Sequence, residues 1–192
     1  MIHKTVWVGM VSVAAVAVAA AVWLLNAKPA LHGAVIEPPA QAAEIRLKDF
    51  DGQEFTLSSL RGKVVVIYFG YTNCPDECPL TMAHLKLATD QLGAGAKDVR
   101  VVMISTDPTR DSAQAMKQFL GSFSPDFIGL VGSPEDLAQV WKDYGVTVED
   151  GGETHSYFVY VIDPSGRFRE TFLPDSEPAD MAADIRQFAQ GR

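Results

Sequence analysis

Runs of apolar residues along the chain predict its buried strands. Two of them, VVVIYFG at 64–70 and VRVVMIS at 99–105, are apolar without alternation, as in strands covered on both faces. A shorter run, FIGLV at 127–131, predicts a third such strand. Alternating segments around Asp51-Gly52 and around Pro164-Ser165-Gly166 predict two hairpins, at 44–60 and 157–173.

Apolar residues at helical spacing predict four helices between and after these strands. The first carries Leu80, Ala83, Leu87 and Ala88 on its predicted core face. The third begins with the cap residue Ser133, followed by a proline that suits the first helical position. The predicted helical ranges are 79–92, 111–123, 134–144 and 178–190.

The order of these elements predicts an α/β fold, in which helices flank a central sheet of mixed direction. Right-handed crossover connections place strand 64–70 at the centre of that sheet. The loop YTNCPDECP at 71–79 then lies at the carboxyl end of the central strand, where α/β proteins usually place their binding sites.

An uncharged apolar segment at 5–25 predicts an N-terminal transmembrane helix. At ~1.5 Å per residue it extends ~32 Å, close to the ~30 Å hydrocarbon core of a bilayer. We therefore expect a membrane anchor at 1–28, a Pro- and Ala-rich linker at 29–43 and a folded domain at 44–192. The expected location is the inner membrane, with the N-terminus in the cytoplasm and the domain in the periplasm or another extracytoplasmic space. The alternative is a cleaved signal peptide.

Composition and charge exclude several classes of protein. A chain of 192 residues accommodates one domain plus appendages, and 47% hydrophobic against 21% charged residues excludes a disordered chain. The net charge of −8 argues against a protein that binds nucleic acid by neutralising phosphates. Two cysteines are too few for a disulfide scaffold.

Cys74 and Cys78 are the only cysteines, and each is followed by a proline that suits the start of a helix. A helix N-terminus lowers the pKa of a thiol, which favours reactivity. Helical spacing separates the two Cα atoms by ~6 Å, which permits a disulfide. The pair is compatible with a structural disulfide, a redox couple or a metal site. Two thiolates are soft ligands that select Cu(I) or Zn(II).

The four histidines are the candidates for a further ligand. His3 precedes the apolar segment and His32 lies in the predicted linker. His84 comes six residues after Cys78, so a helix turns it away from the thiol. His155 follows a polar, glycine-containing loop and precedes a strand, and spacing alone leaves its role open.

The stretch YFGYTNCPDECP at 68–79 resembles the hallmark of the Sco/SenC family of copper-binding proteins with a thioredoxin-like fold. Three further segments resemble the family in the same order along the chain. They are STDPTRD at 105–111, FIGLVG at 127–132 and HSYFVYVIDPSG at 155–166. The resemblance covers 44–192 and implies a thioredoxin-like fold.

The resemblance also implies a site and a role. It implies one copper ion, Cu(I) or Cu(II), held by Cys74, Cys78 and His155. Family members help assemble the CuA centre of cytochrome c oxidase, by delivering copper or by reducing the cysteine pair of the target. The expected partners are the CuA-bearing subunit and other periplasmic copper chaperones or thiol reductants.

Some positions near these residues differ from the usual family pattern. Asn73 stands where a histidine is frequent, Glu77 where the residue is usually apolar, and Thr154 where aspartate is frequent. None of the three replaces an implied ligand. Asp107 is either an outer partner of the site or a turn residue before Pro108.

Two other functions compete with copper delivery. The first is a thiol–disulfide oxidoreductase, with Cys74 and Cys78 as its catalytic redox pair. Thioredoxins have CxxC rather than this CxxxC spacing, and the Pro-x-x-x-Thr-x-x-Cys motif of peroxiredoxins is missing before Cys74. The second is a copper or redox sensor that delivers no metal. The sequence leaves open whether the protein is an enzyme.

Overall fold

The computed structural model describes residues 30–149 and 154–191. Its helices are α1 (Glu77–Gln91), α2 (Ala113–Gly121), α3 (Pro134–Asp143) and α4 (Pro178–Ala189). Its strands are β1 (Ala34–Gln41), β2 (Arg46–Asp49), β3 (Glu54–Thr56), β4 (Val64–Gly70), β5 (Val99–Ser105), β6 (Ile128–Val131), β7 (Val148–Glu149), β8 (Thr154–His155), β9 (Val159–Ile162) and β10 (Arg167–Phe172).

The central sheet has the strand order β1-β10-β9-β4-β5-β6-β2-β3, which confirms the predicted mixed sheet with β4 at its centre. β4 runs parallel to β5, so that Gly70 lies opposite Ser105 at their carboxyl ends. On its other side β4 is antiparallel to β9, with Tyr68 opposite Val159. Both predicted hairpins are present, as β2–β3 and β9–β10. Strands β7 and β8 form a separate two-stranded sheet.

All seven residues of β4 are buried because helices cover both faces of the sheet. Tyr68 and its neighbours on one face belong to a core cluster with residues of α1, α2 and α4. Phe69 and its neighbours on the other face belong to a second cluster with residues of α3. The continuous apolar run at 64–70 therefore reflects burial on both sides.

The predicted core face of α1 is wrong for two of its four members. Leu80 and Leu87 are exposed, at 43% and 52% of their surface. The helix buries a neighbouring stripe instead: Cys78, Thr81, Met82, Leu85 and Ala88. Both stripes have helical spacing, and the one continuous with the buried thiol of Cys78 packs against the sheet.

The predicted linker at 29–43 contains strand β1, which corrects its boundary. β1 pairs antiparallel with β10, with Ala34 opposite Thr171 and Gln41 opposite Arg167. The pairing is irregular between Val35 and Ala40, where two consecutive prolines stand. An edge strand pairs on one side only, so it tolerates prolines that composition alone assigns to a linker.

The N-terminal span predicted at 5–25 lies outside the described residues. Within residues 30–149 and 154–191, no helix has the length and apolar character needed to cross a membrane.

Candidate metal centre

The two cysteines lie together where the central strand passes into α1. Cys74 is half-buried in the loop, and Cys78 is buried in the first turn of the helix. The backbone N–H of Cys78 donates to Sγ of Cys74 over 3.3 Å, and the Tyr68 hydroxyl lies 3.5 Å from Sγ of Cys78. Both thiols are free. The fold therefore presents one accessible and one enclosed sulfur at the carboxyl edge of the sheet.

The two thiols have opposite pKa shifts. Partial burial acts to raise the pKa of Cys74, but hydrogen bonds from the backbone N–H groups of Cys78 and Asp76 outweigh it and lower the pKa. Burial raises the pKa of Cys78 to about 12, against the opposing hydrogen bond from Tyr68. The loop therefore stabilises a thiolate at Cys74 more than at Cys78.

Gly70 leaves the space that the buried thiol occupies. A Cβ atom at this position would lie 2.9 Å from Sγ of Cys78 and 2.6 Å from Cε1 of Tyr68. Both distances are shorter than van der Waals contact, so a side chain here would displace the sulfur or the ring. The last residue of β4 thus determines how closely α1 approaches the sheet.

We expect the substitution Gly70→Ala to destabilise the protein by about 1–3 kcal/mol, the usual cost of overpacking a filled core. Urea unfolding of the reduced protein measures the change. Gly121→Ala is the matched control, since a Cβ there meets nothing within 4 Å. Equal free energies of unfolding for Gly70→Ala and the parent protein would contradict this, and would show that the first turn of α1 can shift without loss of stability.

His155 lies in β8, almost fully buried among three tyrosines. Its ring centroid is 5.8 Å from that of Tyr71, 6.1 Å from that of Tyr157 and 6.4 Å from that of Tyr68. Burial lowers the pKa of His155, which favours the neutral imidazole. Its Nδ1 lies 3.1 Å from the carbonyl oxygen of Ser156. If Nδ1 donates to that carbonyl, Nε2 is the nitrogen with a free lone pair.

The structure brings the two cysteines together, whereas His155 contacts the rings of Tyr68, Tyr71 and Tyr157. Among the described residues, no three His, Cys, Asp or Glu side chains lie close enough to hold one metal ion. Tyr68 connects the two parts, because it contacts both Cys78 and His155. A three-ligand site therefore requires His155 and the thiols to approach each other.

The remaining histidines have other contacts or lie outside the described residues. His3 is outside them. His32 forms an ion pair with Asp184, with Nδ1 2.9 Å from Oδ1. His84 lies with Nδ1 3.2 Å from the carbonyl oxygen of Pro174. His32 lies in the stretch predicted as a linker, but its ion pair with Asp184 joins it to α4, a contact that the sequence does not reveal.

Of the two roles predicted for Asp107, the structure shows that of a turn residue. Its Oδ1 accepts from the backbone N–H groups of Thr109 and Arg110, and its carboxylate pairs with the Arg110 side chain. The guanidinium of Arg110 lies over the Tyr71 ring, 5.7 Å from its centroid. Asp107 thereby also holds a cation against a ring that contacts His155.

Asp111 was predicted to begin a helix, yet it is buried and bonded to the cysteine loop. Helix α2 begins two residues later, with Ser112 as its cap. One feature of the sequence could have indicated this contact. Asp111 follows the buried strand β5 by a few residues, and so lies at the same carboxyl edge of the sheet as the cysteine loop.

The comparisons with known proteins identify the family of the chain. The SCO1/SenC family model matches residues 35–190. The SCO2-like protein RC0895 of Rickettsia conorii is 33% identical over 152 residues, covering 74% of each chain. The chain spans only about half the length of the two yeast mitochondrial Sco proteins it matches.

Solved structures of Sco proteins share the fold. The structure of Bradyrhizobium japonicum ScoI with copper bound is 35% identical and superposes with a TM-score of 0.71, covering 78% of this chain and 99% of that one. BsSco, a member of the Sco family of cytochrome c oxidase assembly proteins with a disulfide switch, has the same fold at 24% identity, with a TM-score of 0.69 over 81% of this chain and 96% of that one. The described fold is thus the thioredoxin-like Sco fold, and the chain belongs to the SCO1/SenC family.

Proposed function

We propose that this protein binds one copper ion through Cys74, Cys78 and His155 and takes part in assembling the CuA centre of cytochrome c oxidase. Copper is its cargo, which it passes to the CuA-bearing subunit. The observation that carries the proposal is the pair of free thiols in the loop and first turn of α1, at the carboxyl edge of the central sheet in a chain with the Sco fold.

The donor chemistry supports copper. Two cysteine sulfurs are soft ligands that prefer Cu(I), and a neutral imidazole suits both copper oxidation states. The hydrogen bond from the Cys78 N–H to Sγ of Cys74 orients that sulfur. The contact of His155 with Ser156 favours Nε2 as the ligand atom. Copper binding would draw His155 from its place beside Tyr71 toward the thiols.

The first test is an anaerobic competition titration of the reduced protein with Cu(I), beside its His155→Ala variant. We expect one tightly bound copper, with an affinity at least about 10-fold lower in the variant, because it lacks one ligand. His84→Ala is the control, since that histidine contacts the Pro174 carbonyl away from the thiols. Weak binding by the parent protein, or an affinity that ignores His155, would contradict the three-ligand site.

A second candidate function is reduction of the target's cysteines, and the unequal exposure of the two sulfurs favours it. The half-buried Cys74 can attack a target disulfide, and the enclosed Cys78 can then displace the reduced target. Cys74 and Cys78 would end as a disulfide, and the two target sulfurs as thiols. Reduction of a disulfide-bonded CuA domain by the copper-free protein would distinguish this function from delivery.

The proposed location follows from the sequence beyond the described residues. An N-terminal helix at 5–25 would anchor the chain in the inner membrane, with the folded domain in the periplasm. Other periplasmic copper chaperones or thiol reductants would supply copper or electrons. Membrane fractionation of the expressed protein, with and without residues 1–28, tests the anchor.

A further inference from the structure

We propose that Asp111 is a positioning residue of the candidate metal centre, which holds the cysteine loop in place through Thr72. The inference rests on the proposed function, because it concerns how the same two thiols are presented to copper. It assigns a role to a carboxylate that contacts neither sulfur.

The carboxylate of Asp111 joins two segments at the carboxyl edge of the sheet. Its Oδ1 accepts from the backbone N–H of Thr72 at 3.0 Å and from the Thr72 hydroxyl at 2.6 Å. Its Oδ2 accepts from the Ser105 hydroxyl at 2.6 Å. Asp111 is 6% exposed and Ser105 is fully buried. Three hydrogen bonds therefore fix one buried carboxylate between the cysteine loop and the end of β5.

The support for Asp111 is itself rigid. The backbone N–H of Asp111 donates to the carbonyl of Asp107 over 2.9 Å, and the Ser105 hydroxyl accepts from the Asp107 N–H at 3.0 Å. Ser105 is the last residue of β5, which runs parallel to β4 up to Gly70. The position of the carboxylate is thus set by the central sheet.

Thr72 lies inside the turn that carries the first cysteine. The backbone N–H of Cys74 donates to the carbonyl of Tyr71 over 3.4 Å and closes a turn around Thr72. Asp111 holds this turn by accepting hydrogen bonds from both the backbone N–H and the hydroxyl of Thr72. Because Sγ of Cys74 accepts from the Cys78 N–H, a shift of the turn changes the distance between the two sulfurs. Outer partners of this kind commonly tune a metal site.

Asp163 offers a matched comparison. It is also buried, and it holds a turn through Ser165 and Arg167, with Oδ1 accepting from their backbone N–H groups at 2.9 and 3.0 Å. It follows β9, whose other end lies beside Tyr68, so its turn is at the opposite edge of the sheet from the cysteines. If Cu(I) affinity depended on loop stability in general, replacing either aspartate would lower it. If it depends on the position of the cysteine loop, only the replacement of Asp111 lowers it.

The experiment compares Asp111→Ala, Asp111→Asn and Asp163→Ala in the reduced full-length protein. We expect Asp111→Ala to weaken Cu(I) binding about 10-fold or more in competition titrations. In the copper-free protein, the Thr72 amide should lose its protection from hydrogen exchange. Asp111→Asn should restore most of both properties, because its amide oxygen can still accept from Thr72. Asp163→Ala should lower stability without changing the Cu(I) affinity.

Thr72→Val adds a milder variant that keeps the fold, since it removes one hydroxyl and retains the backbone donor. Its effect on Cu(I) affinity should be smaller than that of Asp111→Ala, and the double variant should lose less than the two single losses combined. Unchanged Cu(I) affinity in Asp111→Ala and Thr72→Val would overturn the positioning role, as would an equal loss in Asp163→Ala. If the parent protein binds no Cu(I), the proposed function fails, and positioning is then decided by exchange at the Thr72 amide.

Discussion

Replacing Cys78 by serine is expected to abolish tight Cu(I) binding, with an affinity loss above about 100-fold, more than an outer partner of a metal site usually costs. The hydroxyl of serine is a hard, neutral donor, which copper(I) binds poorly compared with a thiolate. Cys74→Ser should have a loss of the same order, because each variant leaves a single sulfur. Anaerobic competition titration of both variants beside the parent protein measures the effect.

Burial makes a stability control necessary for Cys78→Ser. The thiol packs in the core beneath α1, where a serine hydroxyl would need a hydrogen-bond partner. Thr89→Val is the matched variant, because Thr89 lies on the same helix, away from the thiol, and its hydroxyl donates to the Leu85 carbonyl at 2.9 Å. This variant should bind copper normally. Retained tight binding in either cysteine variant would show that one thiol suffices and would contradict the proposed site.

The second large effect concerns stability against pH and centres on Glu170. Glu170 in β10 and Asp184 in α4 are both fully buried. Burial and the negative charge of Asp184 raise the pKa of Glu170 to about 8, although Arg169 opposes the shift. His32 also faces this pair, because its backbone N–H and its ring bond to Asp184. The folded protein therefore favours a protonated Glu170 near neutral pH.

The raised pKa fixes the direction of the effect. Below pH 4.5 the carboxyl is protonated in both states, and its contribution to stability is fully present. Between pH 4.5 and about 8 the unfolded chain loses its proton first, so the free energy of unfolding falls as pH rises. At ~1.4 kcal/mol per pKa unit the loss reaches at most about 5 kcal/mol. His32 acts in the same direction, since its hydrogen bond to Asp184 raises its pKa.

Glu170→Gln should remove most of this dependence, because glutamine resembles the protonated carboxyl and does not titrate. We expect the variant to match the parent protein in urea unfolding at pH 4.5 and to exceed its stability at pH 8. Glu54→Gln, an exposed position on β3, is the control and should leave the pH profile unchanged. Parallel profiles for Glu170→Gln and the parent protein would contradict the buried neutral carboxyl.

The sequence predicted those elements whose local pattern of apolar residues favours a single structure. The unbroken apolar run of β4 indicated a strand covered on both faces, and its central place followed from the crossover rule. Helix α1 had two apolar stripes of equal spacing, so its buried face depended on packing against the sheet. The prolines of β1 suited a linker and an edge strand equally.

The candidate site was predictable to a similar degree. Two cysteines four residues apart at a helix start must be neighbours, and the structure places them so. The surroundings of His155 and the bond from Asp111 to Thr72 join residues far apart in the chain, and no local pattern encodes such contacts. The pairing of His32 with Asp184 was hidden for the same reason, since 152 positions separate them.

Strand β1 makes the folded domain depend on residues that precede the predicted boundary at Glu44. It pairs with β10 along one edge of the sheet, and His32, just before it, bonds to the buried carboxylate of Asp184 in α4. A fragment that begins at Glu44 would leave this side of β10 unpaired and would remove the His32 bonds to a fully buried carboxylate. Fragments made for folding studies should therefore retain residues 31–43.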